Sequence, residues 1–385
     1  IVMSNTKRLR ILLVTRNLPP LVGGMERLNW HLAEELGKRA EVQVIGPEGA
    51  AAVAPRGIPV REIPLQPLPR FLLTAQWCTW REARTWRPHI VLAGSGLTAP
   101  SAWLAARACG ARAAVYVHGL DMAVHHPIYR ALWLPAIHHM DCVIANSRAT
   151  EKLAMDAGVK AARIDIVHPG VTLPSKQPDP QAVARFRAEH RLGERPILLS
   201  VGRLSQRKGL REFVTDVLPR IVAIRPDVLL LIVGDTPKQA LHAKPQTPES
   251  IQAAADAQDV GEHIRFLGVI TDRDRLATVY RAAAVHVFPV QYLPNDPEGF
   301  GMVAIEAAAQ GLPTVAYATG GIVEAVTEGK SGYLVPPRDN RAFAEAALKL
   351  INEPALRITS FRHAKQFAWD QFGVSIYALL EKITH

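Results

Sequence analysis

The strongest constraint on this chain is a pattern that occurs twice. Residues 9–39 read LRILLVTRNLPPLVGGMERLNWHLAEELGKR: an apolar run, a Gly-Gly loop, then apolar positions recurring near every 3.6 residues. Residues 195–226, RPILLSVGRLSQRKGLREFVTDVLPRIVAIRP, repeat the order of strand, glycine-containing basic loop and helix. Each opening is followed by short apolar runs separated by helical stretches. These are EVQVIG, HIVLAG, RAAVYVHG and DCVIANS in the first half, and DVLLLIVGD, IRFLGVI, VHVFPV, PTVAYA and GYLVPP in the second. Continuous apolar runs of this length predict parallel strands covered on both faces. The fold class is therefore α/β, with two Rossmann-like doubly wound domains.

A chain of 385 residues is long for one ordinary core, which agrees with two domains. The stretch HPGVTLPSKQPDPQAV, residues 168–183, is rich in proline and lacks apolar periodicity, so it marks the boundary. The expected domains are 1–172 and 173–365. An amphipathic helix over 366–385 is expected to pack back on the first. Ligands of doubly wound sheets lie beyond the carboxyl ends of the strands. Two such domains place the expected site in a deep cleft between them.

Composition narrows the class. Hydrophobic residues make up 48%, yet no uncharged apolar run reaches the roughly 18 residues of a spanning helix. The start, IVMSNTKRLRILLVT, is basic and then apolar, like a signal peptide. Its apolar run is short, no small-residue cleavage site follows, and it flows into the glycine loop, so it reads as a first strand. Ile1 and Val2 precede a Met. Cys78, Cys109 and Cys142 are odd in number and form no Cys-x-x-Cys. A disulfide framework and a cysteine zinc site are both disfavoured, which suits a reducing cytoplasm.

The net charge is +10, and residues 1–172 hold 20 basic and 12 acidic side chains against 25 and 23 in the rest. The basic excess lies in the first half. An anionic membrane or a phosphorylated substrate would explain it, and so would plain colloidal charge. No zinc finger or RNA-binding aromatic motif supports nucleic acid.

Two stretches carry candidate chemistry. In SVGRLSQRKGL, Arg203 and Lys208 follow the first strand of the second half; an arginine fork and a lysine point charge there suit a diphosphate. A solvated basic loop is the plainer alternative. In EGFGMVAIEAAAQGLPTVA, Gly299 and Gly301 let the backbone approach a ligand, and a helix starting near Met302 turns free N–H groups toward it. A nucleotide diphosphate-sugar bound there would leave Glu298 for sugar hydroxyls and Glu306 for the ribose. Alternatively Glu298 caps the helix and Glu306 is a surface residue.

Other features point less far. Asp272–Asp274, DRD, is better read as a helix cap than as a metal-binding Asp-x-Asp. His125–His126 and His138–His139 lack a carboxylate partner for a metal. Trp77, Trp80 and Trp86 fit either core or an acceptor groove. VGGMER lacks the rest of a dinucleotide fingerprint.

The Glu298-x7-Glu306 spacing, within EGFGMVAIEAAAQGLPTVAYATGGIVEAV, closely resembles the signature of the retaining GT-B glycosyltransferases of family GT4. VGRLSQRKGL, IVGD, IRFLG, GYLVPPRD, GGMER and VHGLD fit the same family in order. The resemblance implies a two-domain GT-B fold and metal-independent, retaining hexosyl transfer. It assigns Arg203 and Lys208 to the donor diphosphate, Glu298 to the donor sugar and Glu306 to the ribose. Phe300, Gly301, Met302 and Val303 form the turn whose amides meet sugar and phosphate. Gly23 and Gly24 form the loop near phosphates and acceptor, His118 reaches the donor sugar, and Val269 and Ile270 meet the base through main chain. Asp121 could order His118, meet the acceptor or cap the next helix. The longer form PVQYLPNDPEGFG, with Asn295 and Asp296, is expected to shape the sugar pocket. No cofactor beyond the nucleotide-sugar co-substrate is implied. The leading donors are GDP-mannose and UDP-sugars. The expected acceptor is a glycan or a lipid-linked molecule of the cell envelope, met from the cytoplasmic side of the membrane. Arg70, Arg81, Arg84 and Arg87 beside aromatic residues fit that surface. A non-catalytic sugar-nucleotide-binding subunit and a sugar-nucleotide epimerase are the alternatives.

Overall fold

A computed structural model of the chain describes residues 8–236 and 245–385; Ile1 and Val2 lie outside the described residues. The chain divides into two compact units, Ile1–Gly170 with Trp369–His385, and Val171–Ala368.

The first unit holds a seven-stranded parallel sheet. Its strands are β1 (Arg10–Val14), β2 (Glu41–Pro47), β3 (Val60–Ile63), β4 (Ile90–Ala93), β5 (Arg112–Val117), β6 (Cys142–Ala145) and β7 (Ile164–Ile166). They run in the order β3-β2-β1-β4-β5-β6-β7. The second unit holds six parallel strands: β8 (Ile197–Val201), β9 (Leu229–Val233), β10 (Ile264–Gly268), β11 (Val285–Phe288), β12 (Thr314–Tyr317) and β13 (Gly332–Val335). Their order is β10-β9-β8-β11-β12-β13. Each sheet reverses direction beside its first strand, between β1 and β4 and between β8 and β11.

The central strands are buried on both faces, which is why they read as unbroken apolar runs. Ile11 to Val14 and Leu229 to Ile232 are fully buried. Two edge strands escaped the sequence reading. β3, VREI, exposes its two middle residues, and β7, IDI, is only half covered. Neither can present a continuous apolar run.

The closing helix spans Trp369–Lys382, three residues shorter at its start than expected, because Ala368 is extended with ψ 141°. Phe372, Ile376 and Leu380 are buried. Trp369 stacks on His31 of the helix Gly24–Gly37 at 4.2 Å, and Arg39 bonds Asp370 at 2.8 Å. Among the described residues, no helix is long and apolar enough to cross a membrane.

Candidate active site

The site of the second unit is built on the loop after β8. Gly202 N–H continues the sheet by bonding the Val233 carbonyl at 2.9 Å, and Leu204 N–H bonds Asp235 at 3.0 Å. Residues 203–208 are thereby held over the carboxyl edge of the sheet, beside the reversal at β8 and β11.

Lys208 and Glu298 meet there. Lys208 Nζ donates to Glu298 Oε2 at 2.8 Å, and Arg207 Nε lies 3.3 Å from the same oxygen. Arg207 Nη1 donates to Asp296 Oδ1 at 2.6 Å. The Lys208 ammonium also stands 4.8 Å above the Phe288 ring, a cation–π contact. The side chains of Lys208 and Glu298 are only 15% and 11% exposed. Arg203 is exposed and acts electrostatically on both.

Burial alone would raise the Glu298 carboxyl. Lys208, Arg207 and Arg203 outweigh it and bring the group from 4.5 down to about 2. Burial pushes Lys208 down, partly opposed by Glu298. Burial also works against the Arg207 charge, but Glu298 and Asp296 hold it above its ordinary range. Within this cluster three cations face two carboxylates, so a positive charge is left to meet an anion.

The depressed Glu298 has a pH signature. A carboxyl lowered on folding stabilises fully above its unfolded value, here 4.5, and that stability is lost as pH falls toward about 2. The gap in urea midpoint between wild type and Glu298→Gln should narrow between those two pH values. A gap independent of pH would contradict the pairing.

The turn 298–302 supplies the second half of the site. Gly301 is left-handed, φ 88°, and opens the helix Met302–Ala309, and no side chain caps it. Glu298 is therefore not the helix cap; its side chain turns to Lys208 instead. A Cβ on Gly301 would come within 2.9 Å of the Phe288 ring. The turn is pinned from behind, where Gly321 N–H bonds the Glu298 carbonyl at 3.0 Å. Phe300 is 2% exposed, so its side chain anchors the turn in the core. Met302, Val303 and Glu306 are half-buried. An uncapped helix start beside a cationic loop is a ready anion site.

Val269, exposed, and Ile270, half-buried, follow β10 at the same sheet edge. Asp272 Oδ1 accepts from Arg275 N–H at 3.0 Å, so DRD caps the helix Arg273–Ala282, as expected.

In the first unit, His118 follows β5 and is 7% exposed. Its Nε2 lies 3.3 Å from the Gly94 carbonyl, which can only accept, so Nε2 carries the proton. Burial lowers its pKa, opposed by Asp121, and favours the neutral ring. Asp121 Oδ2 accepts from the His118 N–H at 2.9 Å, which makes it a cap for the helix Gly119–Ala123. Gly23 caps the helix that Gly24 begins, at the edge beyond β1.

Trp86 packs on the core of the first unit, whereas Trp77 is 59% exposed. His138 Nε2 and His139 Nδ1 donate to the Ala157 and Pro135 carbonyls. Among the described residues, no three His, Cys, Asp or Glu side chains gather as a metal site would require. The three cysteines are free.

Sequence reasoning missed Arg207 and Phe288. The RK pair of SQRKG carried a signal for Arg207, but only a three-dimensional register shows that both neighbours turn to one acid. Asp296, from the longer loop, works by holding Arg207.

Comparisons with known proteins agree with this geometry. The family described as Glycosyl transferases group 1 matches residues 183–366, and Glycosyltransferase Family 4 matches residues 22–173. A GDP-mannose-dependent alpha-(1-6)-phosphatidylinositol monomannoside mannosyltransferase of Mycolicibacterium smegmatis is 31% identical, over 89% of this chain and 90% of the relative. A D-inositol 3-phosphate glycosyltransferase of Streptomyces avermitilis is 30% identical, over 90% and 80%. Among solved structures, Anabaena Alr3699/HepE in complex with UDP superposes with a TM-score of 0.81 at 19% identity, over 97% of this chain and all of that one. Sucrose-phosphate synthase from Thermosynechococcus elongatus gives 0.77 at 23%, over 98% and 99%. These two share the GT-B fold. The two parallel sheets, the cationic loop facing an open helix start and the two family matches converge: the chain belongs to the family 4 glycosyltransferases, enzymes of nucleotide-sugar transfer.

Proposed function

We propose that the chain is a retaining, metal-independent hexosyltransferase. It would move a sugar from a nucleotide-diphosphate sugar, GDP-mannose or a UDP-sugar, to a hydroxyl of a glycan or lipid-linked acceptor of the cell envelope. The observation that carries this reading is the cluster of Arg203, Arg207 and Lys208 beside the uncapped helix Met302–Ala309. Cleaving a sugar–diphosphate bond leaves negative charge on the diphosphate and oxocarbenium character on the sugar. Preorganised donors that neutralise the leaving group lower that barrier most. Here side-chain cations and the helix start do so without a metal, and no cofactor is needed.

Glu298 would meet sugar hydroxyls once the diphosphate takes over Lys208, and Glu306 would meet the ribose. His118, Gly23 and Gly24 keep the roles that the family resemblance gives them, as do Val269 and Ile270 for the base. Retention follows the same resemblance, with a diphosphate oxygen as base; proton NMR of the product's anomeric centre reads it. The relatives named above use GDP-mannose or an inositol phosphate acceptor, and UDP is the nucleotide in the Anabaena structure. Both bases therefore stay in play.

A thermal-shift panel of GDP, UDP and ADP with their sugar adducts tests the reading. A ligand that binds only the folded chain raises Tm. We expect one base to stand out, with the shift reduced in Glu306→Ala. No shift with any nucleotide would shift weight to a non-catalytic role.

The acceptor side has its own support. On the helix Leu68–Trp86, Leu73 and Trp77 are 74% and 59% exposed, Trp77 stacks on Trp80 at 5.3 Å, and Arg84 lies over Trp80 at 5.1 Å. Arg70 and Arg81 flank the same exposed stripe, and Arg87 closes the helix. A basic, aromatic face of this kind suits an anionic lipid surface on the cytoplasmic side. Co-sedimentation with vesicles should increase with anionic lipid and weaken in Trp77→Ala; indifference to both would remove the membrane from the account.

A further inference from the structure

At the carboxyl edge of the first sheet stand buried polar groups that none of the roles above uses. Its order reverses between β1 and β4, and doubly wound sheets bind ligands beyond such a reversal. β1 and β4 pair with Val14 opposite Ala93. Two residues on, Arg16 and Ser95 stand at the same level of adjacent strand ends.

Arg16 is 5% exposed, and its Nε and Nη2 find no hydrogen-bond partner among the described residues. Those two atoms form the side-on edge of the guanidinium, the edge that grips both oxygens of a carboxylate or phosphate. Glu26 acts on Arg16 electrostatically, but its Oε1 already accepts from Asn17 Nδ2 at 2.8 Å; Asp121, which stands beside Gly96 and acts on Tyr129, accepts from the His118 N–H. A buried guanidinium left unpaired is costly, so a fold that keeps one has a use for it. Ser95 Oγ, 1% exposed, and the Tyr129 hydroxyl are unpartnered as well. Tyr129 reaches this edge: a Cβ on Gly96, the residue after Ser95, would collide with its hydroxyl. Stacking of Tyr129 on Trp133, with planes 6° apart, fixes the ring.

We propose that Arg16, with the Ser95 and Tyr129 hydroxyls as further donors, forms an oxyanion subsite on the first unit that reads a phosphate or carboxylate carried by the acceptor. Calling the ligand the acceptor rests on the transferase reading; the subsite itself does not. Its residues all belong to the first unit, whereas Arg203, Arg207 and Lys208 belong to the second.

The test titrates the full chain with sodium phosphate and, separately, sodium acetate. Thermal shift is followed at constant ionic strength against chloride, with and without saturating GDP or UDP. Wild type should be stabilised beyond chloride by one of the two anions, and which one identifies the oxyanion. The half-saturating concentration should rise about tenfold or more in Arg16→Met, the loss of a charged hydrogen-bond pair. It should fall in Glu26→Gln, which removes the competing negative charge. Equal titrations in wild type and Arg16→Met, or no stabilisation beyond chloride in wild type, would overturn the subsite. If Arg16→Met does not fold, Glu26→Gln decides: unchanged or weaker binding contradicts the proposal. Absence of a nucleotide effect counts against the transferase reading alone, because the anion arm is also read without nucleotide.

Discussion

Replacing Lys208 by Met should lower the rate of sugar transfer by about 10²–10³-fold, the usual effect of removing one preorganised donor from a developing anion. Methionine keeps an apolar stem over the Phe288 ring, so packing is largely spared and the loss is electrostatic. The same change leaves Glu298 in a nearly dry site with Arg207 as its remaining near partner, 3.3 Å away. Breaking a buried pair by deleting one partner costs up to about 3–5 kcal/mol. Arg207 limits that cost, so stability should fall by less. Lys208→Arg preserves charge but not the point geometry, and it should recover stability better than rate. Nucleoside diphosphate release from the donor and urea unfolding, measured on the same preparations, separate the two effects.

Gly321→Ala is the second large effect, and it touches no proposed ligand contact. A Cβ there would overlap the Gly299 carbonyl and come within 2.7 Å of the Phe300 Cα, both backbone atoms. The turn must move, since backbone cannot swing aside as a flexible side chain can. Overpacking of this kind costs about 1–3 kcal/mol. Moving the turn also displaces the Gly301 helix start, and about 1 Å of misplacement can cost on the order of 10²-fold in rate. The comparison variant is Gly329→Ala. Gly329 has φ 69°, so alanine there is strained, but nothing lies within 4 Å of the added Cβ. Its activity should stay near wild type while Gly321→Ala loses most of its own. Similar losses in both would mean that turn position is not what matters.

The two variants also show what could be read from the sequence. Parallel strands buried on both faces leave unbroken apolar runs, so the central strands and their order of chemistry were visible. The half-covered edges β3 and β7 leave no such trace. Arg203, Lys208, Glu298 and Glu306 stood out in the sequence by type and spacing, and the structure brings Lys208 and Glu298 into contact. Arg207 was not: its role depends on which way one side chain turns, toward Asp296 and Glu298. Glu298 as a helix cap was a sound alternative on sequence, and Gly301's left-handed backbone decides against it. Arg16 was invisible for a similar reason. A lone arginine after a strand says nothing until its Nε and Nη2 are found buried with no hydrogen-bond partner among the described residues.

The central claim is that the cationic loop and the open helix start bind the diphosphate of a sugar nucleotide. The most direct measurement is calorimetric titration of the chain with the di- and monophosphate of each nucleoside, GDP against GMP and UDP against UMP. The same titrations are repeated on Lys208→Met. The account predicts that one diphosphate binds about tenfold or more tightly than its monophosphate, and that the variant loses most of this preference. Equal affinity for mono- and diphosphate, or a preference untouched by Lys208→Met, would contradict it.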